Sequence, residues 1–161
     1  AVLIPIELVG ACKTALPVLV GLFLISLVIS GLSWSHAMEY TRLAGQILAA
    51  SILAGSVATP LFLPWVPGRA FSFKGFLVGL VTAWAVLGLS GGVYKLGSLG
   101  ILTWMLSVPA VSAYLAMNFT GCSTYTSLSG VRKEMRWALP LQITGTTVGL
   151  VLWLAALVTG R

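Results

Sequence analysis

The chain has 161 residues, 58% of them hydrophobic and only 7% charged, with a formal net charge of +6 and a mean hydropathy of +1.05. Soluble domains carry about 25% charged residues, so this composition excludes an ordinary water-soluble enzyme or binding module. Nine basic residues against three acidic ones read as membrane topology and lipid-headgroup contact, with no nucleic acid as partner.

The opening segment Ala1–Gly10, AVLIPIELVG, is apolar with one acid. It lacks the charged start and cleavage pattern of a signal peptide. It reads as a connector entered from something upstream, and the sequence starts without Met, so the chain is expected to be the membrane part of a longer polypeptide or the product of trimming one. Five charge-free stretches follow: Thr14–Ser35, Leu43–Gly68, Gly75–Tyr94, Leu96–Val131 and Trp137–Gly160. A crossing helix needs about 20 residues. The expected fold is therefore an all-α membrane protein, a single domain with five transmembrane helices over roughly 14–34, 43–63, 75–94, 99–117 and 138–159. Helices are expected rather than barrel strands because runs such as Val18–Ile25 do not alternate polar and apolar.

Breakers fall mostly near the ends of these stretches, at Pro17, Pro60, Pro64, Pro67 and Pro140. Pro109 lies inside the fourth and should kink it. The spacings Gly75-x-x-x-Gly79, Gly88-x-x-x-Gly92 and Gly145-x-x-x-Gly149 suit close helix packing. Trp34, Trp65 and Trp137 sit where interfacial anchors belong. With five spans, Lys13, Arg69, Lys74, Arg132, Lys133 and Arg136 share one side, whereas Arg42, Lys95 and Arg161 share the other. The positive-inside rule then puts the N-terminus in the cytoplasm of a multi-pass protein of the inner membrane.

The chemistry is sparse. No ionisable residue is expected in the middle of a span, which argues against an ion-coupled carrier. Gln46, Gln142, Thr144, Thr146 and Thr147 are the polar residues within spans, and interhelix hydrogen bonds would account for them. There is no Walker motif, dinucleotide fingerprint or zinc-type cluster, and no residue is assigned a catalytic role. His36, the single histidine, sits beside Glu39 in the first connector and reads as solvated. Cys12 and Cys122 fall on the same expected side, where a reducing compartment disfavours a structural disulfide. As soft ligands they are the candidate metal pair, with ordinary packing as the plainer reading.

The most informative segment is Asn118–Arg136, NFTGCSTYTSLSGVRKEMR, in which six Ser/Thr hydroxyls and two glycines are followed by three basic residues. A connector between spans needs only a few polar residues, so this block is a candidate working surface. Together with TPLFLPWVPGRAFSFKG at Thr59–Gly75 and IPIELVGACK at Ile4–Lys13, it resembles the C-terminal membrane domain of the HgcA family. These are the corrinoid proteins of microbial mercury methylation, and the resemblance spans essentially the whole chain.

The resemblance implies a methyltransferase in two parts. An upstream cytoplasmic domain, not in this chain, would hold a cobalamin-type corrinoid and pass a methyl group to Hg(II), giving methylmercury. A ferredoxin-like partner, HgcB, with two 4Fe–4S clusters would return the cobalt to its reduced state. This chain would be the membrane anchor and is not expected to be catalytic alone, since neither Cys12 nor Cys122 has the Trp-Cys-Ala context of the family's cap cysteine.

On that reading, Arg69, Lys74, Arg132, Lys133 and Arg136 form a positive collar for an acidic partner surface, with Asn118, Thr120, Ser123 and Thr124 supplying hydrogen bonds. Cys122 and Cys12 would hand Hg(II) toward the cofactor. The plainer reading of the collar is contact with lipid headgroups. The competing function is a small passive pore or transporter for a metal complex or an uncharged solute.

Overall fold

In a computed structural model, residues 3–31, 33–62, 64–66, 70–89, 97–118 and 128–159 are described, and every regular element among them is helical. Helix α1 spans Leu3–Ile29 and α2 spans Trp34–Ile52. The latter continues through a π-helical segment, Leu53–Ala58, into α3, Thr59–Phe62. Helices α4 (Phe71–Leu89), α5 (Gly97–Asn118) and α6 (Leu128–Thr159) complete the chain. Among the described residues, five stretches are long and apolar enough to cross a membrane: Val9–Ile29, Trp34–Phe62, Phe71–Gly88, Gly97–Asn118 and Arg132–Thr159. The expected count of five is therefore met.

The helices extend past the charge-free stretches. His36, Glu39 and Arg42, read above as a connector, lie in the first turns of α2, with His36 exposed. Arg132, Lys133 and Arg136 lie on α6, which begins ten residues before position 138. The physical reason is that helical hydrogen bonding is local to the backbone and need not stop where the apolar residues do. Long basic side chains at a helix end reach back toward water along their own stems. Pro17 and Pro140 likewise lie inside α1 and α6 rather than near their ends, as Pro109 does inside α5.

The π-helical segment has a local cause. Pro60 has no N–H, and its ring crowds the carbonyl four residues back, at Ser56. Widening the preceding turn relieves that crowding. Accordingly, the Thr59 backbone N–H reaches the carbonyl of Ala54, five residues back, and Thr59 Oγ1 donates to the same oxygen at 2.7 Å.

α1 ends at Gly31, whose φ of 63° is the left-handed conformation glycine adopts without a Cβ penalty. The chain turns at once into α2, and buried Ser26 Oγ donates across the hairpin to the Ala37 carbonyl at 3.0 Å. Phe23 and Trp34 meet edge to face with ring centroids 5.4 Å apart. At this same end of the bundle Tyr40 OH donates to the Ala156 carbonyl at 3.1 Å, and Trp153 Nε1 donates to the Tyr40 carbonyl at 3.3 Å. The ends of α1 and α6 therefore lie beside the start of α2.

α5 is the hub, in contact with α2, the π-helical segment, α4 and α6. Some 56% of its span is buried within the protein, against 6% for α1. Small residues make that possible. A Cβ on Gly79 would lie 2.8 Å from Pro109 Cα, and one on Gly75 would meet Ala116 Cβ and come within 3.0 Å of Ala113 Cα. Gly55 sits equally close to Ser112 and Leu115. Gly149 leaves room only for Ser107 Oγ. Ser112 Oγ seals the α4 contact by donating to the Gly75 carbonyl at 2.9 Å. Two of the three glycine spacings thus mark helix contacts, whereas Gly88 faces open space. The core beside this seam is Ile47, Ala50, Ala83, Leu87, Trp104 and Val108.

Candidate functional site at the α4–α6 end of the bundle

The start of α4 and the start of α6 are joined by one carboxylate. Glu134 Oε1 accepts from the Ser72 backbone N–H at 2.7 Å and from Ser72 Oγ at 2.6 Å. Ser72 is in the first turn of α4, where backbone N–H groups have no intrahelical acceptor and the helix dipole presents positive charge. Glu134 is thus a cap supplied by a neighbouring helix. It lies in the midst of the basic block, a position the sequence reading passed over in favour of its cations.

Around this tie the sequence-predicted residues are distributed unevenly. Arg132, Lys133 and Arg136 are exposed on the first turns of α6, and Asn118 is exposed as the last residue of α5. Lys74 is half-buried in the first turn of α4, its backbone N–H donating to the Ala70 carbonyl at 3.2 Å. These five belong to the same end of the bundle, because Gly75 packs on Ala116 and Glu134 binds Ser72. Arg69, Thr120, Cys122, Ser123 and Thr124 lie outside the described residues. Cys12 is exposed on α1, in a shallow surface depression with Val9, Lys13 and Leu16. Among the described residues no three His, Cys, Asp or Glu side chains come together as a metal site.

Below the tie, α6 presents one inward face. Glu134, Ala138, Gln142, Gly145, Gly149, Trp153 and Leu157 recur at three- and four-residue steps, and of these Ala138, Gln142, Trp153 and Leu157 are 6% exposed or less. Gln142 is the polar member in the middle of that face. Neither its Oε1 nor its Nε2 has a hydrogen-bond partner. It lines a lateral cavity of about 360 Å³ between α4, α5 and α6, walled mainly by Phe73, Phe76, Leu106, Trp137 and Leu141.

The expectation that interhelix hydrogen bonds account for the polar residues within spans is overturned here. Thr144, Thr146 and Thr147 donate to carbonyls of their own helix, at Leu141, Gln142 and Ile143. Gln46 is exposed, and the Gln142 amide is unpaired. A threonine hydroxyl reaches the carbonyl three or four residues back without any neighbour, so it needs none. The interhelix bonds come instead from Ser26, Tyr40, Ser72, Ser112 and Trp153. In most of these pairs one partner is a backbone carbonyl, and a carbonyl leaves no trace in residue type.

Comparison with protein-family models, with curated proteins and with solved structures returns no match.

Proposed function

We propose that the chain is the membrane-anchoring domain of a corrinoid-dependent methyltransferase that transfers a methyl group to Hg(II). It sits in the inner membrane with its N-terminus cytoplasmic, and it holds the upstream corrinoid domain and the ferredoxin-like partner at the membrane face. The chemistry comes from the resemblance of the Asn118–Arg136, Thr59–Gly75 and Ile4–Lys13 segments to the HgcA family. Its support in the fold is the Glu134–Ser72 tie, which holds the exposed cations of α6 against the start of α4 at one end of the bundle. Holding the two helix starts together sets the spacing of those cations, and a patch of one sign suits a complementary acidic protein surface.

No residue of this chain is assigned to the corrinoid or to the methyl-transfer step. The domain's part is positional. It confines two reaction partners to one plane and raises their effective concentration. The test is the intact mass of the native polypeptide in its source membranes. The proposal expects a mass larger than 16.9 kDa by a whole domain, with corrinoid absorbance co-purifying. A mass equal to that of this chain would overturn it and bring the transporter reading forward.

A further inference from the structure

The lateral cavity between α4, α5 and α6 begins one helical turn from a group of cations. Among the described residues, the first turns of α4 and α6 hold four of them, Lys74, Arg132, Lys133 and Arg136, against one carboxylate, Glu134. That carboxylate is engaged with Ser72. Arg132, Lys133 and Arg136 are exposed and form no ion pair among the described residues. Their charge is therefore available to an anion from outside the chain.

The three are not equivalent. An α-helix turns about 100° per residue, so Lys133 is about 40° around α6 from Trp137, Arg136 about 100° and Arg132 about 140°. Lys133, Trp137 and Leu141 thus make one stripe at four-residue steps, and Trp137 and Leu141 line the cavity. From Lys133 to Leu141 is roughly 12 Å along the helix axis. Long helical side chains lean toward the N-terminus of their helix, which carries the Trp137 indole back toward the Lys133 turn. Phe73 and Phe76 of α4 stand opposite. These two, Trp137 and Leu141 are 48%, 43%, 50% and 63% exposed, so the cavity of about 360 Å³ is a trough open along its side. A cation at one end of an open apolar trough complements an amphiphile with an anionic head and a hydrocarbon tail. A neutral solute leaves the lysine unmatched, and an acidic protein surface leaves the trough unfilled.

We infer that this trough binds one anionic phospholipid, with the phosphate on Lys133 and an acyl chain laid along Trp137, Leu141 and the two phenylalanines. The lysine stem lies on the apolar wall while its ammonium stays at headgroup level. Arg132 and Arg136, turned further round α6, remain for a protein partner. The inference rests on the reading that the bundle lies in a bilayer and takes nothing from the corrinoid reading.

The full chain is reconstituted in nanodiscs of phosphatidylcholine and titrated with phosphatidylglycerol or phosphatidylcholine carrying bromine on the acyl chains. Quenching of Trp137 is taken as wild type minus Trp137→Phe. Phosphatidylglycerol should reach half-maximal quenching at about fivefold lower mole fraction, equivalent to about 1 kcal/mol for one lysine near an anionic headgroup. Lys133→Gln should remove most of that preference, and Arg132→Gln should lower it less. Equal quenching by the two lipids, or a preference that survives in Lys133→Gln, overturns the inference. An equal fall in both variants overturns it too and leaves a diffuse headgroup collar. Trp84, 73% exposed on α4, is the reference, which both brominated lipids should quench equally. If neither does, the bundle is not in the bilayer, and the membrane reading fails together with the inference.

Discussion

At the residue scale, one carboxylate organises the end of the bundle that carries the basic collar. Glu134 receives two hydrogen bonds from Ser72, and bonds to a charged acceptor contribute about 1.5–3 kcal/mol each. Ser72→Ala keeps the backbone donor, so it should cost about 1 kcal/mol. Glu134→Gln should cost about 1.5–3 kcal/mol, and the double variant should cost less than the two added together. Thermal unfolding in detergent followed by tryptophan fluorescence measures all three, and strict additivity would deny the tie. Cysteine is the other residue-scale question. If Cys12 and Cys122 pass Hg(II) to the cofactor, the double Cys→Ala protein should methylate mercury at least tenfold more slowly in cell extract. A rate equal to wild type removes the relay.

At the element scale, the five long apolar helices were legible because their number follows from where Lys, Arg and Glu do not occur. Their ends were less legible. Charged residues such as Arg42, Lys133 and Arg136 sit within helices that run on past the apolar stretches, and the sequence does not mark where those helices begin. The glycine spacings were legible as a class but not singly. Gly79 lies against the backbone of Pro109, which cannot swing aside, whereas Gly88 has nothing within 4 Å. Gly79→Val should therefore destabilise by about 1–3 kcal/mol through overpacking. Gly88→Ala should leave stability unchanged or raise it by up to about 1 kcal/mol through helix propensity. Thermal midpoints of the two variants, measured side by side, test the assignment of α4's packing face.

At the scale of the whole molecule, the two ends of the bundle carry different groups. Asn118, Lys74 and the α6 cations share one end, and Tyr40 and Ala156 meet at the other. The candidate site was only half visible beforehand. The exposed cations were readable as a run, but Glu134 became meaningful only once Ser72, 62 positions away, was beside it. Gln142 was noticed as polar, yet its lack of a partner is a property of the folded chain alone. Replacing Arg132, Lys133 and Arg136 together by Gln should weaken capture of the ferredoxin-like partner about tenfold or more in low salt. The amount of protein in the membrane should stay the same. Undiminished capture would mean that the collar serves lipid headgroups.

The central place of α5 bears on biogenesis. Its partners α2 and α4 are synthesised before it and pack on each other less extensively than α4 packs on α5. Helices that enter a bilayer one at a time must find each other there. Until Gly97–Asn118 arrives, the notches at Gly55, Gly75 and Gly79 have nothing to receive. A ribosome that stalls before that point leaves an inserted but unassembled chain, with its backbone grooves open to the wrong neighbours. The helix Gly97–Asn118 is thus the piece on which the packing of the earlier helices waits.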